Sequence, residues 1–399
     1  MESKQASIEF SNTWKSPKAT HKDRIFYPKI NYWRDQFPKG FDHGWEFMEA
    51  GESKTQHFPA GELVVPWSEK KVYSTFASRV KTHYDNDSPI VYSAGRHYSR
   101  GLLFGLGFIS TDRNFFRVIS YQDRKLVLDL NHPLAKYDLK LTGKIVETLG
   151  NRDERGGQCT DIAEAMTSEG IGMQAALEKI PTEFYQDHPF SRKNESTDVE
   201  FYEPDRFVHH VDRVASENIS KIYQTDIRQG MKVLDLMSSW VSHIPDTAKD
   251  IEITGIGLNQ AEMDKNSLLA NRLVHDLNQS PTLPLPDNYF DLAVCSLSVE
   301  YLTQPEQVFT EVARVLKPGA SFIVTFSDRW YPEKVIRIWE MLNPFERMGL
   351  VLDYFESTKC FESLHTESLR GYFRPMDDDY IKVRSESDPI FAVKGKVKI

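Results

Sequence analysis

Residues 232–258 read KVLDLMSSWVSHIPDTAKDIEITGIGL, two short apolar runs separated by a turn-rich stretch. Val233, Leu234 and Leu236 in the first run and Ile253, Ile256 and Leu258 in the second leave little polar alternation, the pattern of strands covered on both faces. The same rhythm continues outward. DLAVCS (291–296) and SFIVTF (321–326) are further continuous apolar runs, and PIFAVKGKV (389–397) closes the series. Between them, helices are expected over 206–224, 260–273, 305–316 and 333–342, with a further segment near 354–364. Strands alternating with helices predict a doubly wound, Rossmann-like α/β sheet over residues 201–399.

The front of the chain reads differently. Tyr27, Tyr32, Trp33, Phe37, Phe41, Trp45 and Phe47 crowd one stretch, and residues 58–65 look β-prone. FFRVIS (115–120), KLVLDL (125–130) and LKLTGKIVE (139–147) are short β-prone pieces parted by Gln122-Asp123 and Asn131-His132-Pro133. Residues 1–150 are therefore expected to form a smaller, mainly antiparallel β domain. Residues 151–200 turn to Gly, Ser, Thr, Asp and Glu and read as a connector and cap.

At 399 residues the chain is too long for one ordinary core. Its 58 acidic against 49 basic residues give a net charge of -9, with no Lys/Arg block to track a phosphate backbone, so no nucleic-acid partner is expected. No stretch approaches the roughly 18 apolar residues of a membrane span. Cys159, Cys295 and Cys360 are scattered without C-x-x-C spacing, which argues against a disulfide framework and a zinc site and fits a reducing, cytoplasmic setting. His43, His57, His83 and His97 have no metal-ligand spacing either.

In such a sheet, ligands bind beyond the carboxyl ends of the strands at the switch point, so the turn after the first strand, within 233–245, is where chemistry is sought. The strand order, the LKPG turn at 316–319, the Phe290-Asp291 pair and Asp276 together resemble the class I S-adenosylmethionine-dependent methyltransferases of the methyltransferase 11 kind, over about 202–397. The resemblance implies S-adenosylmethionine as cofactor. It places Asp235, Leu236, Met237, Ser238 and Ser239 at the methionine end and Leu258 and Asn259 at the ribose. Asp276 and Leu277 fall at the adenine, and Ser296 with Cys295 and Ser298 over the sulfonium. Val299, Glu300 and Tyr301 would line the acceptor side.

Two departures stand out. The family's glycine-rich loop is replaced by Met237-Ser238-Ser239-Trp240, whose side chains keep the backbone further from a ligand than glycine would. Where an acid ordinarily accepts the ribose hydroxyls, the chain reads Gly257-Leu258-Asn259; Asn259 still accepts and donates.

Methyl transfer is a displacement in which positioning supplies much of the rate, so a general base is optional. Candidates lie in FYEPDRFVHHVD (201–212), the expected lid: on a helix Arg206 and His210 would share a face, and His210 and Tyr202 would reach the pocket, with Tyr301 opposite. His243 is a further candidate. The plain alternative for each histidine is a packed, non-titrating side chain.

A narrower resemblance covers residues 118–149. Asp129, Asn131, His132, Pro133, Leu134, Ala135 and Leu139 match the closing motif of the SlyD-type branch of the FKBP peptidyl-prolyl isomerases, with Lys136 where glycine is usual. The functions expected are methyl transfer to a small, mostly neutral acceptor, since no Lys/Arg cluster is expected in the pocket, with a thiol favoured because a fraction is thiolate near neutral pH and oxygen or nitrogen acceptors as the alternative; an isomerase or chaperone-like role; and a non-catalytic binding protein with a degenerate methyltransferase domain.

Overall fold

The computed structural model describes residues 3–84, 89–152, 156–245 and 247–399. Two long strands open the chain, β1 (Ser3–Lys15) and β2 (Thr20–Asn31), followed by β3 (Ser53–Phe58), β4 (Val72–Phe76), β5 (His97–Ser99), β6 (Phe115–Gln122), β7 (Lys125–Asp129) and β8 (Leu139–Arg152). Helices α1 (Ile162–Thr167), α2 (Asp198–Tyr202) and α3 (Arg213–Gln224) lead to strands β9 (Lys232–Leu236) and β10 (Glu252–Gly257). Then come α4 (Gln260–Lys265), β11 (Leu269–Val274), β12 (Phe290–Ser296), α5 (Pro305–Val315), β13 (Leu316–Phe326), α6 (Arg337–Met341), α7 (Pro344–Ser357), β14 (Phe361–Arg370) and β15 (Ile390–Val397). Two compact units result, each discontinuous in sequence. The first comprises Met1–Ser16, Lys29–Asp187 and Leu342–Leu350, the second Pro17–Pro28, His188–Met341 and Val351–Ile399.

In the first unit, β8 pairs antiparallel with β1 and β3, and a separate antiparallel sheet runs β4-β7-β6-β5. Phe116, Val118, Leu126 and Leu128 alternate inward from the β6–β7 hairpin, whose turn holds Asp123 and Arg124 at φ 50° and 59°. On the other sheet Trp45 packs edge-on against Phe10 and Phe41, over Gly143, where a Cβ would lie 2.4 Å from the indole. A buried ion pair completes this unit. Arg96 Nε donates to Glu346 at 3.1 Å, and the His97 backbone N–H donates to the same oxygen at 2.8 Å. The β-prone reading of 58–65 is not met: β3 ends at Phe58, where Pro59 and Gly61, the latter at φ 84°, turn the chain.

The second unit is the α/β sheet. Its order is β11-β10-β9-β12-β13-β15-β14-β2, with β9 to β13 parallel and β15 inserted antiparallel. Alternation in β13 divides the core: Ile323 packs with Ile219 and Tyr223 of α3, whereas Phe322 meets Phe309 of α5 and Phe355 of α7 at 5.0 and 5.4 Å. Within this unit β2 pairs with β14 in parallel. Their register is marked by buried polar partners, His21 with Thr366 at 2.8 Å and Asp23 with Ser368 at 2.9 Å.

Three expected helices are corrected. The helix over 206–224 begins only at Arg213, because the Asp212 carboxylate caps it by accepting from Val214 and Ala215 N–H; residues 203–212 are irregular, so no helical face joins Arg206 to His210. The helix over 260–273 stops at Lys265. Asn266 ends it, its side-chain carbonyl accepting the Leu268 N–H while its amide donates to Ser239 and Ser242, and Leu269–Val274 becomes a parallel edge strand on β10. The helix over 333–342 is shortened to Arg337–Met341, and the segment near 354–364 is the end of α7 and the start of β14.

Candidate active site

The first and fourth strands of the parallel set, β9 and β12, lie side by side at the centre of the sheet, with β10 and β11 to one side and β13 to the other. That is the topological switch point, and the cavity lies there. It holds about 720 Å3, and its lining includes Met237, Ser238 and Ser239 after β9, Leu258 and Asn259 after β10, Asp276 and Leu277 after β11, and Tyr301 after β12. Tyr202 and His210 of the lid segment line it too. Such a volume sits in the upper part of the range for small-molecule sites.

The loop after β9 works without glycine because Met237 itself adopts the left-handed conformation, φ 57°. Behind it, Asp235 is 2% exposed, and its Oδ2 accepts from Ser238 Oγ at 2.6 Å and Ser242 Oγ at 2.7 Å. Burial pushes this carboxyl up to about 6, with the two hydroxyl bonds pulling the other way. Its partners are hydroxyls rather than a cation, so the loop covers a buried acid suited to a positive charge placed above it. Asp235 and Ser296 border a smaller space of about 50 Å3 under the loop.

Gly257 explains the missing acid. A Cβ there would stand 2.1 Å from the Ser238 carbonyl oxygen, so no side chain fits at that position. Asn259 does not stand free in its place. Its amide donates to the Tyr202 and Glu203 carbonyls and to Asp205, and its Oδ1 accepts the Glu262 N–H as the cap of α4. The carboxylate on this stretch of wall is Glu262, 8% exposed, which accepts from Ser239 Oγ at 2.6 Å and from the Arg206 N–H at 2.7 Å. Sequence reasoning missed it; the Asn259-x-x-Glu262 spacing of a helix start was the available signal.

Asp276 stands on the loop after β11, its Oδ1 accepting the N–H groups of Asn278 and Gln279. Neighbouring Leu277 is 5% exposed, so one carboxylate and one apolar side chain flank the same end of the cavity. Asn278 ties that loop to the lid through Asp198 and to the Tyr301 carbonyl.

At the other end stand aromatic rings. Tyr331 lies 5.6 Å edge-on from His210 and 6.2 Å from Tyr301, whose hydroxyl accepts the Tyr331 N–H at 2.8 Å. Burial, then Arg329, His209 and Arg206, hold the His210 imidazole below its ordinary value. Burial raises the phenols of Tyr202 and Tyr301, so both stay protonated. His243 lies outside this cavity; its Nδ1 meets Ser216 Oγ at 2.8 Å, and burial lowers it to about 4.

Not every expected residue faces the cavity. Leu236 is buried in β9, and Cys295 is 1% exposed, its thiol raised well above the ordinary value by burial. Ser296 spends its hydroxyl on Tyr223 at 2.7 Å. Val299 and Glu300 are buried beside Tyr301. Where no Lys/Arg cluster was expected, two guanidiniums, Arg206 and Arg329, line the cavity. Among the described residues, no group of three or more His, Cys, Asp or Glu could hold a metal ion.

The donor set fits S-adenosylmethionine: a buried acid for a cationic end, a second acid on the central wall, and an acid beside an apolar side chain for an adenine. Residues 238–324 match the methyltransferase domain family called methyltransferase 11. The ubiquinone/menaquinone biosynthesis C-methyltransferase UbiE of Laribacter hongkongensis is 30% identical over 120 residues, covering 28% of this chain and 49% of that protein. Its namesake from Burkholderia cenocepacia (strain HI2424) is 28% identical over 182 residues, covering 43% and 72%. The chain thus spans about half the length of the first of these relatives. A solved S-adenosylmethionine-dependent methyltransferase from Aquifex aeolicus aligns over 46% of this chain and 92% of its own, at 18% identity and a TM-score of 0.31. The C-terminal half of this chain therefore carries a methyltransferase domain.

Proposed function

We propose that the chain transfers a methyl group from S-adenosylmethionine to a small, ring-bearing acceptor. The observation that carries this reading is the cavity at the switch point, with Asp235, Glu262 and Asp276 spaced from loop to loop and tyrosines at the far end. Asp276 is assigned to the adenine amino group, Glu262 to the ribose hydroxyls and Asp235, through the loop, to the positive end. When bound, the cofactor supplies an electrophilic methyl carbon, to which an acceptor lone pair bonds as the carbon–sulfur pair returns to sulfur.

The chain's own part is positioning and proton handling. Tyr202, Tyr301 and Tyr331 form aromatic walls that orient a flat acceptor and exclude water. Neutral His210, its Nδ1 3.5 Å from the Tyr331 hydroxyl, takes the acceptor's proton on Nε2. The names of the quinone-biosynthesis relatives, C-methyltransferases, support a ring acceptor over a thiol. A cytoplasmic setting is supported by three free cysteines.

For the first unit we propose a binding or scaffolding role. The turn that resembles an isomerase motif spends its polar groups within that unit: Asn131 donates to Ser68 and Asp129, and His132 Nε2 meets the Thr167 carbonyl.

Turnover with panels of small phenols, other ring compounds and thiols tests the reading. Turnover is expected with ring acceptors, and His210→Ala should lower it at least about tenfold. Turnover confined to thiols, indifferent to His210→Ala, would restore the thiol assignment.

A further inference from the structure

The acceptor end of the cavity carries a guanidinium whose charge is only loosely answered. Arg329 follows β13, on the side of the sheet away from β10 and β11, and its guanidinium carbon stands 4.4 Å from the Tyr380 ring centroid. Its carboxylate neighbour is Asp388, at 3.5 Å. That acid is already committed: Arg374 donates to it at 2.5 Å and the Asp212 N–H at 3.0 Å. Arg329 remains one-third exposed and lines the cavity.

Arg206, the second guanidinium of the lining, differs in position. Its backbone N–H is fastened to Glu262, its guanidinium donates to the Phe201 and Pro204 carbonyls, and it lies 4.7 Å from the Phe201 ring. Its guanidinium also stands 5.7 Å from the Tyr331 ring, but its donors are spent on those carbonyls. Two acids, Asp378 and Asp379, also border the acceptor end; Asp378 is bonded by Arg374 at 3.0 Å, and Asp379 is exposed. They disfavour a dianion such as a phosphate monoester, while one guanidinium over an aromatic wall suits a single planar anion.

We propose that the methyl acceptor is a small aromatic carboxylic acid, its carboxylate bound by Arg329 and its ring packed among Tyr301, Tyr331 and Tyr380. This rests on the methyltransferase reading and narrows its substrate. Carboxylate binding has a second consequence. Arg329 is the first charged neighbour that lowers the His210 imidazole, so neutralising it moves His210 back toward its ordinary range.

The test uses the full chain saturated with S-adenosylhomocysteine and titrated with 4-hydroxybenzoate and, separately, 4-hydroxybenzamide. The acid is expected to bind at least about tenfold more tightly than the amide. Arg329→Gln should erase that preference and Arg329→Lys should keep part of it, both with S-adenosylhomocysteine affinity within about twofold of wild type. Equal affinity for acid and amide, a preference that survives in Arg329→Gln, or displacement of S-adenosylhomocysteine by the acid would each overturn the inference alone. Failure of S-adenosylhomocysteine to bind the wild-type chain would instead remove the methyltransferase reading, and the acceptor assignment with it.

Discussion

The carboxylate of Asp198 lies 3.0 Å from the Lys334 ammonium, with side-chain exposures of 4% and 0%. Arg192 and Asn278 bond the same carboxylate, both at 2.7 Å, so the helix that opens the lid is fastened to the loop after β11. Because a buried pair costs most when only one member is removed, Asp198→Ala should destabilise the fold by about 3 kcal/mol or more. Urea unfolding checks this. A shift under about 1 kcal/mol would mean that Lys334 finds water or another partner.

Asp276 stands on the loop after β11, where its side chain caps a short turn. Asp276→Ala should therefore weaken S-adenosylhomocysteine binding about tenfold while leaving the thermal midpoint within a few degrees. Calorimetric titration and a melting curve on the same sample decide between loss of a ligand contact and loss of structure.

Glu262 stands between the loop serine and the lid backbone, on the wall where Gly257 leaves no room for an acid. Glu262→Gln keeps the shape but weakens the acceptor that we assign to the two ribose hydroxyls. We expect about a tenfold loss for S-adenosylhomocysteine and little change for free adenine. An equal loss for both would place the effect in the lid rather than at the ribose.

Asp235 gives a pH dependence whose sign follows from its burial. With a folded value of about 6 against roughly 3.9 in the unfolded chain, the folded state holds the extra proton between these limits, so stability of the ligand-free protein falls as pH rises from about 4 to about 6. A cationic ligand favours the ionised acid, so affinity for S-adenosylmethionine should rise up to about tenfold as pH climbs through 6. Titrations at pH 5, 6, 7 and 8 on wild type and Asp235→Asn check it: the variant should be flat across that window.

What the sequence made legible was the sheet interior. Short continuous apolar runs bounded by turns, such as those of β9, β12 and β13, fit a sheet covered on both faces, and their order along the chain carries the switch point with it. Edges were less legible. β11, with Asn271 and Arg272 amid LANRLV, reads as the tail of an amphipathic helix until Asn266 is seen ending α4 with its side chain. The long β1 and β2 went unread because polar residues such as Asn12, His21 and Asp23 occur among their inward positions, where each meets a partner distant in sequence.

The site divides in the same way. Residues at strand ends, among them Asp235, Ser238 and Asp276, follow from topology and motif order. Glu262 and Arg329 do not, because what distinguishes them is the company of other side chains: a glycine that admits no Cβ, and an aspartate already committed to Arg374. Spacing also misled at Arg206 and His210, which reach one cavity from irregular backbone rather than from a helix.

The central claim is that the cavity beyond β9 to β12 holds S-adenosylmethionine. Isothermal titration of the full chain with S-adenosylhomocysteine tests it most directly: we expect one molecule bound per chain with a Kd below about 1 mM, weakened by both Asp276→Ala and Glu262→Gln. Absence of binding at millimolar ligand to a protein that melts cooperatively would contradict it.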